Sequence, residues 1–351
     1  MEPKKPDKKE HKHKDGRKSV QVNSEKKILD DVKDKKRKSD ADESVIKGLE
    51  AMNLNPNYIP VKKLVSISQA GKDDEGKRKT NQDSYLVMEK VKKSDTFNLF
   101  CVLDGHGPNG HLVSQFITKY VTGKINSNKK LEAAKNEEQL YAALKRNNYE
   151  IIRHLFTHGE KELLKGGTID ANFSGSTCVM IIQVGNHLIS ANVGDSRAIM
   201  VTKKGLVPLS IDQKPNDPEE ARRITKAGGE ISQYEEDGEK SGPFRVWQKG
   251  QPYPGIAMSR SIGDFIASSL GVISEPVITE FELTEDIKFM VLASDGVWEF
   301  LDSNKVMNMV MPFYEKNDPD SACKLLIRES TTWWQNEDIV IDDITSIVVF
   351  Y

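Results

Sequence analysis

The sequence predicts an α+β fold in which antiparallel β-sheets are covered by α-helices. Three observations support this prediction. Short runs rich in β-branched residues recur along the chain, several of these runs follow one another directly, and the long helical patterns gather after the first runs and near the C-terminus. Strands and helices therefore do not alternate strictly, as they would in a parallel sheet built from βαβ units.

The predicted strands are bounded by Gly, Asn and Asp, which favour turns. In chain order they are SYLVM (84–88), FNLFCVL (97–103), TCVMIIQV (177–184), HLISANV (187–193), RAIMV (197–201), KFMVLA (288–293) and TSIVVFY (345–351). The sequence Val184-Gly185-Asn186-His187, between the third and fourth runs, predicts a tight hairpin turn.

The predicted helices are identified by apolar residues at helical spacing. They lie at about residues 111–125, 137–165, 217–227, 303–313 and 319–332. Residues 214–255 are rich in Gly, Pro and charged residues, and this composition predicts a mobile flap beside a site.

The N-terminal part of the chain has a different composition. Its first 44 residues carry 15 lysines and arginines against 11 acidic residues, a net charge of +4 that leaves the remaining chain at −6. We therefore predict a disordered charged tail at 1–44, a linker at 45–59 and one folded domain at 60–351. The run Lys35-Lys36-Arg37-Lys38 has two interpretations, a weak nuclear import signal or a solvated tail, and the interleaved acids favour the solvated tail.

The cysteines and the hydropathy pattern indicate a compartment. Cys101, Cys178 and Cys323 are widely spaced and form no C-x-x-C pair, which favours a reducing environment. No apolar run approaches the roughly 18 residues of a membrane span. We expect an intracellular protein, cytoplasmic or nuclear, without a membrane anchor.

Aspartates stand at the ends of several predicted strands. Asp104 follows FCVL and Asp295 follows FMVLAS, and each precedes a glycine. Asp83 precedes SYLVM, while Asp342 and Asp343 precede the last strand. One aspartate at a strand end is usually a turn residue or a helix cap. Two Asp-Gly strand ends together with paired acids before the last strand weaken that interpretation.

Further aspartates extend this pattern: Asp195 lies between two strands and Asp264 closes SRSIGD. Carboxylates gathered at one sheet edge repel each other unless a cation lies between them. Oxygen ligands suit magnesium or manganese, and no H-E-x-x-H or clustered Cys/His pattern indicates zinc. The residues thus predict a site for two metal ions, with metal-activated hydrolysis as its chemistry.

Seven segments occur in an order that matches a known family. They are GKRKTNQDSY (76–85), VLDGHG (102–107), SGSTCV (174–179), NVGDSRA (192–198), PGIAMSRSIGD (254–264), ASDGVWE (293–299) and DDITSIVV (342–349). On these segments the chain resembles the metal-dependent type 2C (PPM family) protein serine/threonine phosphatases over residues 60–351. The resemblance implies two antiparallel β-sheets packed as a sandwich and flanked by α-helices, a four-layer αββα fold.

The resemblance also implies a ligand set for two Mg²⁺ or Mn²⁺ ions. Asp104 would bridge the two metals, and Gly105 would contribute its backbone carbonyl. Asp295 and Asp342 would complete the ligands of the first metal. Asp83 would lie in the same cluster and hold metal-bound waters.

Further roles follow from the same resemblance. Asp195 matches a position that, with Asp295, holds a weaker third metal. Arg78 matches the arginine that binds the substrate phosphate, and His106 matches the general acid that protonates the departing Ser or Thr oxygen. A water bridging the two cations would attack phosphorus directly, without a phospho-enzyme.

The chain departs from the family pattern at three positions. Gln82 stands where glutamate is common, and Asp343 stands where asparagine is common, which leaves open whether Asp342 or Asp343 binds metal. Gln213 replaces histidine in the segment Ile211-Asp212-Gln213-Lys214-Pro215, a change expected to alter the loop rather than the chemistry. Gln82 and Asp343 are therefore candidates for a supporting role around the ligands. Thr177 is expected in the core or beside the ligands rather than in catalysis.

Three functions remain to be compared. The first is a phosphatase that acts on phosphoserine and phosphothreonine in protein substrates as a monomer. The second is an inactive phosphatase-fold module that regulates a partner, and the third is a metal-dependent phosphodiesterase or nuclease. The intact aspartates favour the first over the second. The acidic domain, which predicts no specific nucleic-acid binding, disfavours the third.

Overall fold

The computed structural model describes residues 57–236 and 238–351. The predicted tail at 1–44 and most of the linker at 45–59 lie outside the described residues. Residues from Asn57 to Tyr351 form one compact unit.

Sixteen strands are present in this described part. They are β1 Lys63–Gln69, β2 Ser84–Met88, β3 Phe97–Leu103, β4 Gly105–His106, β5 Gly175–Ser176, β6 Cys178–Val184, β7 His187–Val193, β8 Arg197–Thr202, β9 Gly205–Pro208, β10 Gly229–Glu236, β11 Glu239–Gln248, β12 Pro254–Ile256, β13 Ile262–Gly263, β14 Val277–Glu282, β15 Ile287–Ala293 and β16 Ile344–Phe350. Each of the seven predicted strands is present, with bounds that agree to within one residue.

Eight α-helices lie in the described residues, and five of them correspond to helices that the sequence predicts. The eight are α1 Gly110–Ser127, α2 Lys129–Glu132, α3 Glu137–Gly166, α4 Pro218–Lys226, α5 Phe265–Ser268, α6 Asp295–Trp298, α7 Ser303–Glu315 and α8 Pro319–Glu337. None of these helices combines the length and the hydropathy needed to cross a membrane.

The predicted helix at 137–165 is not regular throughout. Arg146 is extended (ψ 140°), and Asn147, Asn148 and Tyr149 have positive φ values of 52°, 56° and 61°, so α3 is broken from Arg146 to Tyr149. Asparagine adopts the left-handed region more readily than most residues, and two successive asparagines favour a break at this point.

Two five-stranded antiparallel sheets form the centre of the fold. Their strand orders are β1-β16-β15-β8-β9 and β14-β7-β6-β3-β2. Strand β3 is buried along its whole length because alternate residues face opposite layers. Phe100 and Val102 pack against the other sheet, whereas Leu99 and Cys101 pack against α1 and α3. Helices α7 and α8 cover the outer face of the sheet β1-β16-β15-β8-β9. This arrangement confirms the predicted α+β sandwich.

Two smaller sheets extend from this sandwich. Strands β4, β5 and β13 form a three-stranded sheet that carries the predicted histidine, and β10, β11 and β12 form another. The stretch 214–255, predicted as a flap, contains α4 and the long β10–β11 hairpin.

Candidate active site

Asp104 lies where β3 leaves the core. Its backbone N–H donates to Oγ1 of Thr177 (3.0 Å), and its carbonyl accepts from the N–H of Thr177 (2.9 Å). The Thr177 hydroxyl is also 2.7 Å from Oγ of Ser196. These hydrogen bonds fix the end of β3, so Thr177 positions Asp104 by holding the backbone of that aspartate.

Asp83 and Asp295 lie in the same cluster as Asp104. Oδ2 of Asp83 accepts a hydrogen bond from the Ser294 hydroxyl (2.8 Å), which anchors β2 to the end of β15. Burial raises the pKa of Asp83 to about 8 and that of Asp295 to about 7, and neighbouring carboxylates add to both shifts. Burial, followed by the charges of Asp295 and Asp83, also raises the pKa of Asp104 well above its ordinary value. The pKa shifts show that negative charge is crowded here.

Three buried carboxylate oxygens in this region have no hydrogen-bond partner: Oδ1 of Asp83, Oδ1 of Asp195 and Oδ1 of Asp295. Leaving such oxygens unpaired inside a protein is costly, and a cation would remove that cost. In residues 57–236 and 238–351 no three His, Cys, Asp or Glu side chains form a ready-made metal cage. The donor set nevertheless fits a hard divalent cation, because all of its donors are oxygens.

Asp342 and Asp343 have different surroundings. Oδ1 of Asp343 accepts from the N–H of Gly71 (2.7 Å), and Oδ2 accepts from the N–H of Gln82 (2.8 Å). Oδ1 of Asp342 accepts from Nζ of Lys79 (3.2 Å) and from its neighbour's N–H (2.8 Å), and its side chain is 40% exposed. Asp343 thus ties together two backbone segments, whereas Asp342 keeps its Oδ2 free of bonds within the described chain.

Gln82 and Gly105 stabilise the turn that follows Asp104. Nε2 of Gln82 donates to the backbone carbonyl of Gly107 (2.6 Å), and the backbone carbonyl of Gln82 accepts from the Ser114 hydroxyl (2.6 Å). A Cβ on Gly105 would lie 2.4 Å from the carbonyl oxygens of Gln82 and Gly110. The turn therefore requires glycine at position 105.

His106 is held by a residue distant in sequence. Its Nε2 lies 2.6 Å from Oδ2 of Asp264, which also accepts from the Ser261 hydroxyl (2.5 Å), while its Nδ1 is buried without a partner. Burial alone would lower the pKa of His106, but the charge of Asp264 and its hydrogen bond outweigh burial, so the pKa is raised. Strands β4, β5 and β13 align the two side chains.

Arg78 lies on the surface beside the cluster. It pairs with Lys72 in an isolated antiparallel bridge, and its side chain is exposed and makes no bond with the described residues. Its neighbour Lys79 contacts Asp342 instead. The contacts of Lys79 and of Asp264 at the site were not predicted from the sequence.

Asp195 contacts the segment in which glutamine replaces histidine. Its Oδ2 lies 2.5 Å from Nζ of Lys214. The neighbouring Gln213 accepts from the N–H of Gly194 (2.6 Å) and donates to the carbonyl of Asn192 (3.2 Å). Gln213 therefore fastens the loop that presents Lys214 to Asp195.

A comparison with family models matches residues 70–332 to protein phosphatase 2C. The chain belongs to the protein phosphatase 2C family. The predicted recognition is thereby confirmed, as is, at the level of the family, the assignment to metal-dependent protein serine/threonine phosphatases.

Relatives of known sequence carry the same description. The chain is 31% identical to probable protein phosphatase 2C 35 of Arabidopsis thaliana, over 87% of this chain and 89% of that protein. It is 33% identical to probable protein phosphatase 2C 75 of Oryza sativa subsp. japonica, over 67% of this chain and 62% of that protein. It thus spans most of the first relative and less than two thirds of the second.

Solved structures agree with the fold. A serine-threonine phosphatase 2C from Toxoplasma gondii superposes with a TM-score of 0.69 at 19% identity, over 84% of this chain and 97% of that one. A sex-determining protein of C. elegans superposes with a TM-score of 0.58 at 18% identity, over 84% and 65% of the two chains. At these identities the likeness is evidence for the fold alone.

Proposed function

We propose that this phosphatase 2C chain hydrolyses phosphoserine and phosphothreonine in proteins at a site for two Mg²⁺ or Mn²⁺ ions. The ligands would be Asp83, Asp104, Asp295 and Asp342, together with the carbonyl of Gly105. The observation that carries the proposal is the set of buried, unpaired carboxylate oxygens within the cluster. Divalent cations bound there would lower the pKa of a bound water and neutralise charge on the phosphoryl group.

The roles of the protein's own side chains follow from their contacts. Because Nε2 of His106 is engaged by Asp264, the proton for the departing Ser or Thr oxygen would come from Nδ1. The charge of Asp264 keeps the imidazolium form populated until that transfer. The exposed guanidinium of Arg78 is available to bind two phosphoryl oxygens.

The supporting residues complete this proposal. Gln82 and Asp343 would position the ligand segments through hydrogen bonds between their side chains and backbone groups, rather than bind metal directly. Asp195 would contribute to a weaker third cation site together with Asp295, in competition with Lys214. We also propose a monomer that acts in the cytoplasm or nucleus, which light scattering and imaging of the tagged chain would test.

The alternative is an inactive module that retains the fold and binds a partner. It is disfavoured because the aspartates and His106 are all present and because Oδ1 of Asp83, of Asp195 and of Asp295 is buried without a partner. A module without metal would gain stability by replacing such a cluster with paired or apolar groups.

Activity assays with metal and chelator test the proposal. The purified chain should hydrolyse a phosphothreonine peptide with Mn²⁺ or Mg²⁺, and EDTA should abolish turnover. Asp104→Asn should lower turnover by about a hundredfold or more while the protein stays folded by circular dichroism. Full activity in EDTA would contradict the proposal.

A further inference from the structure

A cavity with a volume of about 430 Å³ lies between α1, α2 and α3. Its walls carry Lys124 from α1, Lys129 and Lys130 from α2, and His154 and His158 from α3. We call this cavity, defined by these five residues, the basic pocket. It shares no lining residue with the carboxylate cluster.

The positive charge of the basic pocket is only partly compensated. Glu150 is the one carboxylate among its lining residues, and its Oε2 already accepts from Nζ of Lys130 (3.0 Å). Lys124 and Lys129 form no ion pair or hydrogen bond with the described residues. Two ammonium groups are therefore available to a ligand, although the chain beyond residue 44 has a net charge of −6.

The two histidines add donors on the same wall. His154 and His158 are one helical turn apart, their ring centroids are 4.1 Å apart, and both side chains are exposed. Neither ring makes a hydrogen bond or an ion pair within the described chain, so their N–H groups can donate to an anion. Partial desolvation, followed by the charges of His154 and Lys161, lowers the pKa of His158, while the charge of Glu162 acts in the opposite direction.

The basic pocket also has an apolar wall. Ile151 and Leu155 line it and are 7% and 3% exposed. Lysine and imidazole donors beside aliphatic side chains suit a phosphorylated peptide better than a bare inorganic ion, because a peptide also buries apolar groups.

We propose that the basic pocket binds a second phosphate carried by the same protein segment as the phosphate to be hydrolysed. The substrate class would then be multiply phosphorylated proteins. This inference rests on the proposed function, since it names a preference of the same enzyme.

The length of α1 sets the spacing between the two phosphates. Gly110 begins α1 beside Gly105, whereas Tyr120 and Ser127 line the basic pocket. At 1.5 Å per residue these two positions lie about 15 and 25 Å along the helix from Gly110. An extended segment covers that distance with about five to eight residues. Adjacent phosphates therefore cannot reach both sites.

Kinetics with spaced phosphopeptides test this geometry. One peptide carries a phosphothreonine and a non-hydrolysable phosphonate about eight residues apart, and a second carries the two groups on adjacent residues. The separated peptide should have a KM about three- to tenfold lower, with kcat unchanged. Lys124→Gln combined with Lys129→Gln should remove that advantage. Equal KM values for the two peptides would overturn the proposal.

A matched control uses two exposed lysines elsewhere in the molecule. Lys204→Gln combined with Lys324→Gln removes the same charge and should retain the KM advantage. Hydrolysis of p-nitrophenyl phosphate should be unchanged in both double variants, because neither alters the carboxylate cluster. An equal loss of the advantage in the control would show a general charge effect and contradict a specific pocket.

A binding measurement in EDTA separates this inference from the proposed activity. The phosphonate peptide should shift the ring-proton NMR signals of His154 and His158 in the full chain without metal. Inorganic phosphate should require at least about tenfold higher concentration for the same shift, because it lacks the peptide's apolar contacts. Equal affinity for phosphate and peptide, or unshifted histidine signals, would refute the pocket even in an active enzyme. Shifted signals in a chain without phosphatase activity would support the pocket and refute only the proposed function.

Discussion

Replacing Asp264 with asparagine tests whether His106 donates a proton to the leaving group. The substitution keeps the size of the side chain and removes its charge. Asn tolerates the left-handed backbone of this position, where φ is 48°. The 2.6 Å contact with Nε2 of His106 can persist as a neutral hydrogen bond. The variant should therefore fold, and its change in rate should report on the charge.

The size of the effect follows from this one contact. A hydrogen bond to a charged group contributes about 1.5–3 kcal/mol and a neutral one about 0.5–1.5 kcal/mol. The imidazolium form of His106 would thus lose about 1–2 kcal/mol, which lowers the ratio of imidazolium to neutral imidazole by about five- to thirtyfold. Because Asp264 raises the pKa of His106, its loss should move the alkaline limb of the kcat profile to lower pH.

Two substrates separate this role from a structural one. Phosphothreonine peptides have a poor leaving group that needs the proton, whereas p-nitrophenolate leaves without it. Asp264→Asn should lower kcat for the peptide by about five- to thirtyfold on the alkaline side of the profile, where His106 is mostly neutral, and change p-nitrophenyl phosphate hydrolysis much less. Ser261→Ala removes a neutral donor to the same oxygen and should have a smaller effect. Equal slowing of both substrates, or an alkaline limb that moves to higher pH, would refute the reasoning.

Three further predictions concern the same cluster. Gly175→Ala would place a Cβ 1.9 Å from Oδ2 of Asp264, so peptide kcat should fall as in Asp264→Asn; an unchanged kcat would contradict this packing. In EDTA, thermal stability measured by calorimetry should fall as the pH rises from about 6 to about 8. Burial raises the pKa of Asp83 to about 8 and of Asp295 to about 7, so the folded state holds protons that the unfolded state releases; stability that increases over this range would refute the argument. Asp343→Asn leaves one of two backbone amides, that of Gly71 (buried) or that of Gln82 (partly buried), without an acceptor, which should cost about 1–3 kcal/mol in urea unfolding. The number of bound Mn²⁺ ions, measured by calorimetry, should stay the same in that variant, and loss of one ion would identify Asp343 as a ligand.

The sequence predicted the buried parts of the fold well. Strands such as β3 and β6 are continuous apolar runs because both of their faces are covered. The half-buried strands β1 and β14 were not predicted, since their exposed positions carry Lys and Glu among few apolar residues. The β10–β11 hairpin was also missed, because its Gly, Pro and charged residues resemble a loop.

The sequence predicted which residue types would gather in the carboxylate cluster, but not their hydrogen-bond partners. The aspartates at strand ends could be found because a strand end and a following glycine are local features. His106 and Asp264 are 158 positions apart, and no local pattern connects them. The choice between Asp342 and Asp343 likewise depends on which backbone amides lie opposite, which only the folded chain determines.

The hydrogen bonds of the aspartates separate two physical roles within the cluster. Asp343 has both oxygens bonded to backbone amides, so its charge is already compensated and gains little from a cation. Asp83 and Asp295 each keep a buried oxygen without a partner, and a bound cation would compensate the charge of both. Asp195 is intermediate, because Lys214 neutralises one oxygen and leaves the other unpaired. A cation at Asp195 must therefore compete with a resident ammonium group, which gives a physical reason for a third metal site to be the weakest.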